Sequence, residues 1–177
     1  KYRWLTLTEI ISKSSNIGAV KIARRLGESK FYEHIKKFGF GEKTGIDLPG
    51  EATGIVREPS QWSKVSIGSI SIGQEISTTT LQLVTAVSAI ANGGYLMKPM
   101  IVKQAIYDGR VIKSFSPEIV RKVISPETVQ TMKEILTHAV DYGTGRKAAI
   151  QGYTVGGKTG TAQKIDPVTK KYSIKNY

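Results

Sequence analysis

Val155-Gly156-Gly157-Lys158-Thr159-Gly160-Thr161-Ala162 sets three glycines around one lysine, inside a stretch that reads as a strand from Tyr153 to Ala162. Glycine weakens a strand interior and packs nothing there, so the pattern predicts an edge that a ligand or a second backbone approaches closely. Lys158 and its neighbouring hydroxyls would receive an anion on such an edge, and a free backbone N–H would receive a developing oxyanion. Two blander readings compete. Gly152-Tyr153-Thr154-Val155-Gly156-Gly157-Lys158-Thr159 matches the bare phosphate-loop pattern. Its context does not: Ala149-Ile150-Gln151 is no long apolar strand, and Asp166-Pro167 breaks any helix that would follow. Nor does an acidic residue close an apolar strand to serve as a magnesium partner. The second is a purely structural hairpin, with Asp166-Pro167 as turn and Tyr172 to Tyr177 as returning strand.

Upstream of this strand the chain alternates helical and irregular segments. Leu5, Ile10 and Ile11 belong to a first short helix, followed by the polar cluster Ser12-Lys13-Ser14-Ser15-Asn16, whose residues favour caps and turns. Ile17, Val20 and Ala23 resume a helical period that Gly27 ends. Ser29 is placed to cap a third helix through Phe31, Ile35 and Phe38, stopped by Gly39. Residues 41–75 are punctuated by glycine and proline and predict a long irregular connection. Thr78-Thr79-Thr80 leads into a helix with Leu81, Val84, Val87 and Ile90 facing inward, together with Leu83 and Ala86, and Asn92-Gly93-Gly94 closes it. Met100-Ile101-Val102 and Val111-Ile112 flank Asp108-Gly109, a strong hairpin-turn signal. Ser125-Pro126 opens a helix with the stripe Val129, Met132, Ile135, Leu136, Ala139 and Val140, ended by Gly143. The fold class is α+β, with a mainly helical lobe from residues 1–40 and 76–94 and sheet strands of an active-site edge in 150–177.

Composition excludes several function classes. The 177 residues are 40% hydrophobic and 23% charged, enough for a packed core and far from a disordered chain. No cysteine is present, which removes disulfides, thiolate nucleophiles and Cys-based zinc sites. Two isolated histidines, His34 and His138, do not make a metal site. No run approaches the ~18 apolar residues that span a bilayer. The formal charge is +12, yet the basic residues are scattered and aromatics are only 8%, without the interleaving that single-strand binding demands. No nucleic-acid partner is expected; the charge suits an anionic polymer or membrane surface.

Ser14-Ser15-Asn16 alone is a helix cap, with Asn16 capping the helix that begins at Ile17. Paired with Lys158-Thr159-Gly160 it becomes informative. A Ser-x-Asn box followed by Lys-Thr-Gly forms two-thirds of the three-box set of penicillin-recognising serine enzymes. Ser14-Ser15-Asn16-Ile17-Gly18, Phe38-Gly39-Phe40-Gly41, Gly45-Ile46-Asp47-Leu48-Pro49-Gly50-Glu51, Ile72-Gly73-Gln74, Leu81-Gln82-Leu83, Ala91-Asn92-Gly93-Gly94 and Gly157-Lys158-Thr159-Gly160-Thr161-Ala162-Gln163 resemble class B penicillin-binding proteins, across essentially the whole chain.

The resemblance implies a peptidoglycan D,D-transpeptidase domain of the penicillin-binding protein/β-lactamase-like fold, an antiparallel sheet packed by helices, with residues 1–177 a partial domain incomplete at both ends. It implies that Ser14 relays a proton to or from the leaving group and that Asn16 holds the acyl-donor amide. Lys158 would raise the positive potential and support proton movement through Ser14. Thr159 and Thr161 would bind the substrate carboxylate, or that of a β-lactam, and Gly157 and Gly160 would border it. The Thr161 N–H would form half of the oxyanion hole. No metal or cofactor is implied. The partners implied are peptidoglycan stem peptides, β-lactams and a membrane glycosyltransferase of the cell-wall machinery, in division or elongation. An upstream anchor would hold the catalytic domain on the extracytoplasmic side of the cytoplasmic membrane.

The set's first box is not found: the residue three before every lysine is something other than serine. By the resemblance, the nucleophilic serine and its lysine precede residue 1, and residues 1–177 alone are expected to be inactive. Glu75 stands where the family often has glycine, and Thr80 where it often has proline. Alternatives left open are a serine β-lactamase or β-lactam sensor of the same fold, and a catalytically inert scaffold relative.

Overall fold

The computed structural model describes residues 4–160 and residue 169. Thr161, the Asp166-Pro167 turn and the strand expected at Tyr172 to Tyr177 lie outside the described residues. The elements are α1 (Leu7–Ser12), α2 (Asn16–Leu26), α3 (Glu28–Lys37), α4 (Ser66–Ser71), α5 (Thr80–Ala91), β1 (Tyr95–Met97), β2 (Gln104–Tyr107), β3 (Arg110–Ser114), β4 (Ile119–Lys122) and α6 (Pro126–Asp141). Short 3₁₀ turns occupy Pro59–Gln61 and Arg146–Ala148. Both sheets are antiparallel pairs, β1 with β4 and β2 with β3. No helix among the described residues is long and apolar enough to cross a membrane.

The contacts divide the chain into two units. One comprises Lys1–Arg25, Lys64–Glu75 and Glu134–Tyr177; the other comprises Leu26–Ser63 and Ile76–Lys133. The division falls inside α6, and α1 and α3 belong to different units.

In the first unit, α1 is only six residues long and depends on its ends. Thr6 and Glu9 form a reciprocal capping box, and Lys13 Nζ donates to Glu9 Oε1 at 2.8 Å. The Lys13 hydrogen bond, then that from the Thr6 backbone, holds the Glu9 carboxyl down to about 2. Helix α2 crosses α1 closely at Gly18, where an added Cβ would stand 2.7 Å from the Ile10 side chain. Ile67 of α4 and Ile135, Ala139 and Val140 of α6 are the unit's buried apolar residues alongside Ala23. Ile17, expected on the inward face of α2, is 72% exposed, because that helix buries Gly18 and Ala23 instead.

In the second unit, Ala89, Leu96 and Val123 form the core, with Phe38 and Ile124 packed against it. Helix α5 differs from its sequence reading. Gln82, Ala86 and Ala89 are its buried residues, whereas Leu83, Val84 and Val87 are more than half exposed. The small alanines let the helix lie close to β1, and the larger aliphatics point away from that contact. Gln82 is 1% exposed because its side chain works on the preceding loop. Nε2 donates to the carbonyls of Glu42 and Thr53 at 2.7 and 2.8 Å, and Oε1 accepts from the Thr79 N–H at 2.9 Å. Arg121 of β4 caps the carbonyl end of α3, donating to Lys36 and Lys37 at 2.9 Å each, and pairs with Glu42.

Two further expectations are corrected, and one strand pair is new. Gly27, at φ 86°, ends α2 and directly precedes α3, so Ser29 lies within the helix and caps nothing. The hairpin ladder begins at Gln104, and Met100-Ile101-Val102 carries no strand pairing. The pair formed by β1 and β4 was not anticipated; strands of three and four residues are too short for an alternation to register.

Candidate active site

The site begins where α1 stops. Ser14 follows it with φ 54°, a left-handed conformation uncommon for a residue with a side chain. Its N–H donates to the Ile11 carbonyl at 3.1 Å, and that of Ser15 to Ile10 at 2.9 Å, so the turn is held from below. Ser15 Oγ then accepts the Gly18 N–H at 3.2 Å and supplies the cap of α2. The cap is therefore Ser15 rather than Asn16. Asn16 stands exposed in the first turn of α2, and its side chain has no hydrogen-bond partner among the described residues.

The second wall is the segment ending at Gly160. It was expected as a strand, but residues 153–160 carry no ladder among the described residues. They run along α6 instead: the Gly157 N–H donates to the Leu136 carbonyl at 3.1 Å. A Cβ at Gly156 would stand 3.4 Å from Leu136, and one at Gly157 would stand 3.5 Å from Val140. The glycine pair thus packs closely on α6, and the Gly157 amide is already engaged there. Gly160 has open space beside it.

These two walls bring Lys158 onto Ser14. Lys158 Nζ donates to Ser14 Oγ, to the Thr159 carbonyl at 2.9 Å and to Thr159 Oγ1 at 3.5 Å. Ser14 and Lys158 are 144 positions apart in the chain. Partial burial lowers the Lys158 ammonium below the ordinary lysine value of 10.5. Ser14, Asn16, Lys158, Thr159 and Gly160 line one cavity of about 330 Å³, completed by Ile10, Ile11, Ser15, Ala19, Ser71 and Ile72. A cation with a lowered proton affinity, touching one hydroxyl and adjacent to another, is equipped to attract a carboxylate and to pass a proton. Among the described residues no cluster of His, Cys, Asp or Glu is arranged to hold a metal ion.

The profile of the family described as "Penicillin binding protein transpeptidase domain" matches residues 1–177. The chain belongs to this family. It is 41% identical over 175 residues to penicillin-binding protein PbpB of Mycolicibacterium smegmatis, covering 94% of this chain and 27% of that protein. It is 32% identical over 169 residues to the peptidoglycan D,D-transpeptidase FtsI of Escherichia coli, covering 94% of this chain and 27% of that one. The crystal structure of penicillin binding protein 3 from Mycobacterium tuberculosis complexed with aztreonam superposes with a TM-score of 0.89 at 37% identity, over 96% of this chain and 39% of that one. The chain thus spans about a quarter of the length of these curated relatives. The expected fold, mixed helix and antiparallel sheet of the penicillin-binding transpeptidase kind, is the observed one.

Of the residues expected at the site, Ser14, Asn16, Lys158, Thr159 and Gly160 share the cavity, Gly157 lies against α6 and does not line it, and Thr161 lies outside the described residues. Ser71 and Ile72 line the same cavity and were not singled out as site residues. Just beyond them, Glu75 has φ 58° and accepts from the buried Ser66 Oγ at 2.7 Å. A non-glycine residue held in that conformation next to Ile72-Gly73-Gln74 marks a constrained wall.

Proposed function

We propose that this chain is part of a peptidoglycan D,D-transpeptidase, which cross-links stem peptides through a serine acyl-enzyme and is acylated by β-lactams. The single observation that carries the reading is the hydrogen bond from Lys158 Nζ to Ser14 Oγ within one cavity that also holds Asn16 and Thr159. Family membership over residues 1–177 supports the fold and the reaction class.

In this reading a serine on a Ser-x-x-Lys segment N-terminal to Lys1 attacks the carbonyl of the penultimate D-Ala, expelling terminal D-Ala. Ser14 relays the proton given up by the attacking serine to the leaving amine. Lys158 sets the positive potential of the cleft and keeps the Ser14 hydroxyl oriented. Thr159, with Thr161, holds the substrate carboxylate; the Asn16 carboxamide holds the acyl-donor amide. The Thr161 N–H gives one half of the oxyanion hole, a contribution of about 3–4 kcal/mol per donor in enzymes where one has been removed. The acyl group then passes to the amine of a second stem peptide, which yields a proton as the ester is cleaved. No metal or cofactor enters. Membrane anchoring upstream, an extracytoplasmic catalytic domain and a glycosyltransferase partner complete the proposal. The aztreonam complex of the Mycobacterium tuberculosis relative supports β-lactams as ligands of this cleft.

Incubating the full-length protein with two D-Ala-D-Ala stem peptides tests this, one of them the amine acceptor. The expected result is one D-Ala released for each cross-linked dimer formed. D-Ala release with hydrolysed monomer alone, or no release, would overturn the transpeptidase assignment.

A further inference from the structure

The turn that follows α6, Gly143-Thr144-Gly145, reaches both walls of the cleft without lining it. The Thr144 N–H donates to the carbonyl of Ser12 at 3.0 Å, and Thr144 Oγ1 lies 3.4 Å from the same oxygen. Ser12 is buried, at 1% exposure, and ends α1 two residues before Ser14. On its other side, Thr144 Oγ1 is 3.0 Å from Thr159 Oγ1. The approach leaves no slack. A Cβ at Gly143 would stand 2.3 Å from the Ser12 oxygen and 2.8 Å from that of Ala139.

A hydroxyl has one hydrogen to give and two lone pairs to receive with. Either hydroxyl can donate to the other; with the Thr144 hydrogen on its long contact to the Ser12 carbonyl, the Thr159 hydroxyl donates to Thr144 Oγ1. Lys158 Nζ donates toward Thr159 Oγ1 from the cleft side. The hydrogen bonds therefore run in one direction, from Lys158 through Thr159 and Thr144 to the backbone of α1. An arriving carboxylate demands the Thr159 hydrogen. The two hydroxyls can then reverse together: Thr144 relinquishes its long contact to Ser12, donates to Thr159 Oγ1, and Thr159 donates to the ligand. No backbone atom needs to move, because the Thr144 N–H keeps its own bond to Ser12.

We propose that Thr144 is a positioning residue for carboxylate binding, holding the Thr159 hydroxyl at the cleft and supplying its hydrogen-bond partner when that hydroxyl turns to the ligand. The inference rests on the transpeptidase reading, in which Thr159 receives the substrate carboxylate. Losing the Thr144 hydroxyl removes one hydrogen bond from the bound state and leaves the acylating atoms untouched.

The test is β-lactam acylation of the full-length protein, resolved into the dissociation constant of the initial complex and the first-order acylation rate. Thr144→Val, which keeps the shape, should raise the dissociation constant about 3–10-fold with the acylation rate unchanged within about twofold, a net hydrogen bond's worth. Thr144→Ser should restore the wild-type constant. The methyl ester of the same β-lactam, which lacks the carboxylate charge, should bind wild type and Thr144→Val alike. Urea unfolding verifies that each variant is folded, and Thr144→Ala replaces Thr144→Val if the latter is not. An unchanged dissociation constant in a folded hydroxyl-less variant would overturn the inference alone, as would a Thr144→Ser variant as weak as Thr144→Val. A wild-type protein that takes no β-lactam would overturn the transpeptidase reading and this inference with it.

Discussion

Replacing Lys158 with alanine is expected to slow β-lactam acylation of the full-length protein by about 10²–10⁴-fold, the range for removing a group that positions or moves a proton in the transition state. Its ammonium holds Ser14 Oγ and the Thr159 carbonyl in one place, and no other cation lines the cavity among the described residues. The Lys158→Arg variant separates charge from proton movement. Arginine keeps the positive charge at every accessible pH and cannot release its proton, so it should retain carboxylate binding but recover little of the acylation rate. The pH dependence has a definite sign. Burial lowers the Lys158 ammonium below 10.5, so its charge is lost earlier on the alkaline side than that of an ordinary lysine. Initial binding of a carboxylate ligand to wild type should therefore weaken with rising pH, starting below 10.5, while Lys158→Arg stays level across that range. An alanine variant acylated within tenfold of wild type, or identical pH profiles for wild type and Lys158→Arg, would remove Lys158 from its assigned role.

Gln82→Leu is expected to destabilise the protein by roughly 2–4 kcal/mol, since it strands two part-buried carbonyls and one N–H that the amide now satisfies. Those groups belong to Glu42, Thr53 and Thr79, so one side chain ties the loop of residues 42–53 to the start of α5. Leucine fills a similar volume, which confines the loss to hydrogen bonding. Other contacts hold this loop, such as Thr44 to Glu51 and Lys98 to Asp47, but none of them reaches the two carbonyls. Gly54 lies at φ 67°, and an added Cβ there would stand 2.2 Å from the Ser77 carbonyl, so the segment has no room to shift toward new partners. Urea denaturation should show a lower midpoint with an unchanged slope. A loss below about 1 kcal/mol would show that water satisfies the stranded groups.

How much of this was legible in the sequence depends on the range of the interaction concerned. The start of α6 was readable because its signals are local: Pro126 presets the first helical dihedral, and Ser125 Oγ accepts the Thr128 N–H at 3.2 Å. The inward face of α5 was misread because hydrophobicity was counted and closeness of approach was not. Ala86 and Ala89 are buried since they are small enough to admit β1, and Gln82 is buried since its partners come from a loop some thirty to forty residues earlier. No periodicity contains that information. The glycine pair before Lys158 correctly signalled close approach, yet a sequence cannot say to what; the neighbour is α6.

The cleft itself was the least accessible to local reasoning. Ser14-Ser15-Asn16 reads by itself as a cap, and one residue of it, Ser15, is a cap. Only family resemblance linked Ser14 to Lys158, and their contact then appears in the fold across 144 positions. Thr144 was passed over because Gly143 was read simply as a helix stop. Its hydroxyl gains meaning only when α1 and the segment ending at Gly160 are both in place around it.

The transpeptidase proposal makes this the cleft of an acylating, slowly deacylating serine enzyme. Its most direct test is the denaturing intact mass of the full-length protein, with the Ser-x-x-Lys segment proposed above, followed over time after addition of a β-lactam. An adduct of one β-lactam per protein is expected to persist through the time course and to be absent from the Lys158→Ala variant on the same timescale. An adduct that clears within minutes would identify a β-lactam hydrolase, and no adduct at all, with the segment demonstrably present, would identify a non-catalytic relative; either result contradicts the claim.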